Sequence, residues 1–190
     1  QCQRGGAGVN ALTLIGLTGL AGAGKDTVRQ ILESQHGFIG FGFADPIRNM
    51  LRTLLSDNGI SESWMDERAL KEQQIPTLGK SYRELAQTLG TEWGRTVLGQ
   101  DFWLRIAESY LYDIASTTFG PQHFVISDVR FQNEADWVRQ RGGVIWRVER
   151  PGTQSVRAHV SEQGATAIKA DAVLVNNSSI EDLSILVGHV

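Results

Sequence analysis

The strongest chemical signal in the chain is the run Gly19-Leu20-Ala21-Gly22-Ala23-Gly24-Lys25-Asp26-Thr27. Glycines at 19, 22 and 24 let successive backbone N–H groups turn inward around a chain of phosphates. A helix opening at Lys25 adds the partial positive charge of its N-terminus, and the lysine ammonium reaches towards the β- and γ-phosphates. The spacing satisfies G-x-x-x-x-G-K, the pattern of a nucleotide P-loop, but Asp26 stands where that pattern has Ser or Thr, and Thr27 comes one later. A hydroxyl at the usual position meets Mg²⁺ directly. Here Asp26 could hold the ion's waters while Thr27 bonds a phosphate, and the spelling leaves the two assignments open.

A loop of this kind needs a second acid at the tip of a neighbouring strand, to hold the metal or its water shell. The run His123-Phe124-Val125-Ile126-Ser127-Asp128 supplies one in Asp128. Aspartate is also a favoured helix cap, so Asp128 could cap the helix that follows, and the two roles are compatible.

The elements that must position these groups follow from the hydrophobic pattern. Strands are predicted at 12–17, 38–43, 124–127, 144–148 and 172–175, and helices at 25–35, 131–141 and 180–187. A further helix starts at Asp45-Pro46, with Asp45 as cap, Pro46 as first helical residue, and Ile47, Met50, Leu51, Leu54 and Leu55 as its buried stripe. Periodicity weakens over 56–80, where Trp64, Met65 and Leu70 allow one short helix. Ser81 with Glu84 spells a capping box and opens a helix to about 97. In it Leu85, Leu89, Trp93 and Val97 recur every four residues, as do Arg83, Gln87, Thr91 and Arg95, so one stripe is expected in the core and the other facing a cleft. Asp101 is expected to cap a helix with Trp103, Ile106, Ala107, Tyr110 and Ile114 at core spacing, and 150–169 reads as irregular. Strands alternating with helices predict an α/β architecture of the P-loop NTPase fold, a mainly parallel sheet flanked by helices.

Length and composition narrow the class. At 190 residues the chain is expected to form a single domain over 11–190, with 1–10, which lack methionine and hold three glycines, as a frayed or added lead-in. A net charge of −3, from 18 Lys+Arg against 21 Asp+Glu, does not suggest a protein that coats a nucleic acid polymer or an anionic membrane. Cys2 is the single cysteine, so no disulfide or thiolate metal site forms within the chain, which fits a reducing cytoplasm. No run approaches the roughly 20 apolar residues that span a bilayer, and no charged-then-apolar leader is legible, so a soluble, untargeted chain is expected. Monomer and homodimer stay open.

Four further blocks follow the G-K-D-T loop in order: Phe43-Ala44-Asp45-Pro46-Ile47-Arg48, Leu89-Gly90-Thr91-Glu92-Trp93-Gly94-Arg95, Ser127-Asp128-Val129-Arg130-Phe131-Gln132-Asn133-Glu134-Ala135 and His159-Val160-Ser161-Glu162. Together, from about Leu12 to Leu186, they resemble the bacteriophage deoxynucleoside monophosphate kinase family. The resemblance implies the P-loop nucleoside monophosphate kinase fold, with a helical substrate-binding insertion at about 56–100. It also implies ATP with Mg²⁺ as donor, deoxynucleoside monophosphates as acceptors, and the cytoplasm of an infected host as location. A short lid at about 150–170, with Arg147, Arg150, Arg157 and His159, sits where such kinases close over the phosphates. The stretch 171–177, with Asn176, looks like the loop under the adenine of ATP.

The chemistry asks for the same residues. Bringing two phosphorylated molecules together crowds roughly six negative charges, so arginines must surround them. Arg48, Arg83, Arg95 and Arg130 lie at predicted strand ends or on the polar stripe, although any one could be a solvated surface charge. Gln87 and Thr91 lie between Arg83 and Arg95. Glu92 and Asn133 could orient sugar or base, and Glu92 could equally pair with Arg95. Phe43, Trp93 and Trp103 could stack on a base or fill the core. Lys25, Asp128 and Arg130 are the candidates nearest the chemistry.

Two rival readings remain. Dephospho-coenzyme A kinases share the closing strand, Asn-rich turn and helix, although the 89–95 and 127–135 blocks favour a nucleotide acceptor. A P-loop ATPase or switch acting through a partner is the other, but the chain has no Asn-Lys-x-Asp guanine-reading motif.

Overall fold

β1 (Leu12–Thr18) is the central strand of a five-stranded sheet in the order β2-β5-β1-β6-β7, and every neighbouring pair is parallel. The other strands are β2 (Ile39–Phe41), β5 (Gln122–Ile126), β6 (Val144–Glu149) and β7 (Ala172–Val175). The computed structural model describes residues 12–117, 122–152 and 160–189. These fall into two compact units, one made of the described residues up to Gly42 and from Tyr110 onward, the other of Phe43–Ser109.

In the first unit a parallel sheet needs cover on both faces, because its strands are apolar on both. On one face Ile15 and Leu17 of β1, Val125 of β5, Trp146 and Val148 of β6 and Leu174 of β7 pack with Val28, Ile31 and Leu32 of α1 (Lys25–His36) and Leu183 and Val187 of α8 (Ile180–Gly188). Each such aliphatic side chain contributes about 1.5–3 kcal/mol on burial. On the other face lies α6 (Gln132–Gln140), with Ala135, Trp137 and Val138 buried.

α7 (Val160–Ala167) is a helix where an irregular stretch was expected. Its weak amphipathicity hides it from periodicity, and tertiary contacts hold it: the buried Thr18 hydroxyl donates to Ala165 O at 3.2 Å. Arg147, expected in a lid, lies in β6 and donates from its guanidinium to the carbonyls of Thr166 and Ile168 at the end of α7, where a cation complements the helix dipole. Arg157 and His159 of the expected lid, and residues 1–10, lie outside the described residues.

The second unit opens with α2 (Asp45–Asp57), whose cap is Ala44 rather than Asp45. Asp45 is already helical, and its Oδ1 accepts from Arg48 Nη1 at 3.1 Å. Ile47, Leu51 and Leu55 are buried, whereas Met50 and Leu54 are exposed at 38% and 40%, so the buried stripe is narrower than predicted. α3 (Ser63–Asp66) is the short helix expected in 56–80, and an unforeseen hairpin of β3 (Gln74–Ile75) and β4 (Lys80–Ser81) follows it.

α4 (Tyr82–Gln87) begins at the capping box: Ser81 Oγ accepts from Glu84 N at 3.2 Å, and Glu84 Oε2 accepts from Ser81 N at 2.8 Å. The Ser81 backbone N–H, then its hydroxyl, hold the Glu84 carboxyl below the usual carboxylate range. Ser81→Ala is expected to cost about 0.5–2 kcal/mol of stability at neutral pH by denaturant unfolding. A lowered folded pKa stabilises above the unfolded glutamate value, near 4.3, and that part is lost as pH falls through the folded value. Ser81→Ala keeps the backbone N–H and loses only the hydroxyl's smaller share, so the gap between wild type and variant narrows in acid by that share alone.

From Thr88 to Val97 the helix continues as a π-helix, and here the predicted stripes part from the structure. A π turn takes up more residues than an α turn, so faces assigned at α spacing shift along it. Val97 and Trp93, expected in the core, are exposed at 72% and 38%, and Arg95, expected to face a cleft, is 4% exposed. α5 (Phe102–Thr117) follows, with Trp103, Leu104, Ala107 and Leu111 buried and Tyr110 exposed at 41%.

Candidate functional site

The glycine loop leaves the carboxyl end of β1, where open parallel sheets bind ligands. Gly19 and Gly24 have φ of +130° and +105°, which L side chains rarely adopt. Both positions are also crowded: a Cβ would lie 2.2 Å from Val148 O at Gly19 and 2.3 Å from Asn176 Nδ2 at Gly24. Lys25 Nζ donates back to Gly19 O at 2.7 Å and Leu20 O at 2.8 Å, closing the ring of backbone. Asp26 is exposed in the first turn of α1, and Thr27 is half-buried.

Asn176 was expected only as part of an adenine loop, read through backbone. Its side chain instead clamps the glycine loop, Nδ2 donating to Ala23 O at 2.9 Å, while its own N–H donates to Glu149 O at 2.7 Å. No periodicity carries that signal. Asn176→Ala removes one loop-ordering hydrogen bond of about 1 kcal/mol, so ATP affinity measured by calorimetry is expected to fall roughly fivefold.

Asp128 is 5% exposed and held between strand tips: Ser127 N donates to Phe41 O at 3.1 Å and Val129 N to Leu17 O at 3.0 Å. It is not a helix cap, because the cap of α6 is Phe131. Gly42 leaves it room, since a Cβ there would come within 3.1 Å of both carboxylate oxygens. Behind it Glu134, 3% exposed, accepts from the backbone N–H groups of Arg130 at 2.7 Å and Phe131 at 3.0 Å. That carboxylate fixes the backbone from which Arg130 projects. Phe131, three residues before it, has no side-chain acceptor, so no capping-box spelling announces this carboxylate in the sequence. Asn133 and Arg130 are half-buried beside it in the chain.

In the second unit Arg83 forms an ion pair with Glu72, and its N–H donates to Lys71 O at 3.1 Å. Arg48 pairs with Asp45 at 3.1 Å. Burial raises the Tyr82 phenol, and the nearby charges of Arg48 and Arg52 oppose that rise, which places both guanidinium groups in its field. Arg95 Nη1 donates to Gln100 O at 3.3 Å. Gln87 and Thr91 are half-buried and Glu92 is exposed. Phe43 and Trp103 are 4% and 3% exposed, so neither offers an open ring to a base, whereas Trp93 is 38% exposed. Among the described residues no group of three His, Cys, Asp or Glu side chains gathers as a ready metal cage.

A glycine ring closed by its own lysine, at the carboxyl edge of a parallel α/β sheet, defines a P-loop nucleotide-binding protein. The model of the deoxynucleotide monophosphate kinase family matches residues 66–187. A protein of Acanthamoeba polyphaga mimivirus, named provisionally as a deoxynucleotide monophosphate kinase, is 34% identical over 185 residues, covering 90% of this chain and 92% of that protein. The deoxynucleotide monophosphate kinase of Enterobacteria phage T4 is 32% identical over 104 residues, 54% of this chain and 42% of its own length. That of Escherichia phage RB69 is 29% identical over 103 residues, 54% of this chain and 41% of its own. Among solved structures, an unliganded sugar kinase from Janibacter sp. HTCC2649 aligns at a TM-score of 0.45 and 13% identity, over 93% of this chain and 91% of that one. The chain belongs to the deoxynucleotide monophosphate kinase family.

Proposed function

We propose that the chain transfers the γ-phosphoryl of ATP to the phosphate of a deoxynucleoside monophosphate, releasing ADP and the deoxynucleoside diphosphate. The observation that carries this is the glycine loop, closed by Lys25 and braced by Asn176, in a chain of this family. Backbone N–H groups of 19–27 and the N-terminus of α1 bind the donor phosphates, and Lys25 turns its ammonium from the loop carbonyls to the β- and γ-oxygens.

A hard oxygen donor set suits Mg²⁺: Asp128 is a buried carboxylate with space kept open by Gly42, and Asp26 and Thr27 stand on the first turn of α1. Bound there with the phosphates, the ion would neutralise charge on the transferring group. Asp128 would hold its water shell, and Arg130, on the backbone fixed by Glu134, adds positive charge.

The acceptor binds on the Phe43–Ser109 unit. Arg48 meets its phosphate, and Arg95, buried with Nη1 on Gln100 O, joins it only when its guanidinium leaves that carbonyl; Gln87, Thr91 and Glu92 meet its sugar and base, and Trp93 gives the base an aromatic face. A phosphate must compete with Asp45 for the Arg48 guanidinium and with Glu72 for that of Arg83. The substrates are small and water-soluble, and no helix among the described residues is long and apolar enough to cross a membrane. For a phage-encoded chain the host cytoplasm is the expected location.

A coupled assay of ADP formation against each deoxynucleoside monophosphate, its ribose counterpart and dephospho-coenzyme A tests the reading. Turnover with at least one deoxynucleotide well above the others is expected. Turnover with dephospho-coenzyme A alone, or phosphate release that needs no acceptor, would overturn it.

A further inference from the structure

Trp103 has no open face for a ligand, yet its indole is placed against the π-helical turn at two points. Its Nε1 donates to Gly90 O at 2.8 Å. One turn on, a Cβ at Gly94 would fall 2.5 Å from Nε1 and from Cζ2 of the same ring. Phe102 packs edge-on to that ring at 4.8 Å and Trp93 lies tilted at 6.3 Å, so the indole has little freedom to move.

This contact falls on the one part of the helix that departs from α geometry. In an α-helical register Gly90 O would accept from Gly94 N, and the residues beyond it would step back by about one position, roughly 100° around the axis. Thr91, Glu92 and Arg95 would then present different faces. The indole N–H gives Gly90 O a partner outside the helix, and the missing side chain at Gly94 admits the ring that delivers it. We infer that Trp103 is a positioning residue for the acceptor site, holding the 88–97 segment in its π register and with it the buried Arg95, whose guanidinium leaves Gln100 O for the acceptor phosphate. This rests on the reading of Arg95 given above.

The test is a double-mutant cycle of Trp103→Phe and Arg95→Ala, read as KM for the acceptor and KM for ATP at a temperature where all variants are folded. Arg95→Ala is expected to raise acceptor KM by roughly 10- to 100-fold, and Trp103→Phe by roughly tenfold, with ATP KM unchanged in both. The double variant should be no worse than Arg95→Ala alone, because the indole acts through the arginine. A merely structural role for Trp103 would lower the amount of active enzyme, hence kcat, and leave acceptor KM alone. Normal acceptor KM in Trp103→Phe beside an impaired Arg95→Ala, or effects that simply add, would overturn the positioning role while leaving the acceptor reading intact. A normal Arg95→Ala would remove both. Should Trp103→Phe not fold, Gly94→Ala, which pushes the ring out from the other side, takes its place in the cycle. If neither variant folds, the indole is a folding residue and the inference fails.

Discussion

Lys25→Ala is expected to lower kcat for phosphoryl transfer by at least about 10²-fold, the loss typical of deleting one preorganised charge aimed at a transition state. In the structure the ammonium sits on two loop carbonyls, Gly19 O at 2.7 Å and Leu20 O at 2.8 Å, so it is already at the phosphate cradle. The same contacts mean that the lysine also orders the loop, and the variant loses two effects at once. They separate by measurement: loop ordering affects ATP affinity, whereas charge on the transferring group affects kcat at saturating ATP. The two carbonyls belong to half-exposed residues and can turn to water, so thermal stability is expected to change little. Lys25→Arg should recover only part of the rate, because a planar fork cannot fill the place of a compact ammonium. A Lys25→Ala enzyme with unchanged kcat would end the assignment of 19–27 as the catalytic phosphate loop.

What could be read in the sequence was whatever rests on local chemistry. The loop, β1 before it and α1 after it, the capping box at Ser81 and Glu84, and the alternation that makes the sheet parallel all follow from residue types at fixed spacing. What escaped depends on contacts between residues distant in the chain. Asn176 braces a loop 153 positions earlier, and Gly42 matters because Asp128 packs against it. The π-helical turn escaped for a different reason. Rows of four in 82–97 looked like two clean stripes, but nothing in that window encodes Trp103, whose indole bonds Gly90 thirteen residues back. The two arginines assigned to one polar stripe therefore have different surroundings, Arg83 in an ion pair with Glu72 and Arg95 buried.

Asp128→Asn carries the second large effect. The side chain keeps its volume, so the strand tips around it, held by Ser127 N on Phe41 O and Val129 N on Leu17 O, have no reason to move. Helix capping cannot account for a loss either, because α6 is capped at Phe131, three residues later. What the amide cannot do is hold the water shell of a divalent cation as a carboxylate does. Charge stabilisation by a metal is worth several kcal/mol in phosphoryl transfer, so kcat at ordinary Mg²⁺ is expected to fall by about 10²-fold or more. The Mg²⁺ concentration for half-maximal rate should rise with it. Two companions sharpen the reading. Gly42→Ala brings a methyl within 3.1 Å of both carboxylate oxygens and should reproduce part of the defect without touching the charge. Asp26→Ser restores the common P-loop spelling on an exposed first turn and should be tolerated if that side chain only meets the metal. Normal activity of Asp128→Asn at ordinary Mg²⁺, with Asp26→Ser impaired, would move the metal-holding role from the tip of β5 to the start of α1.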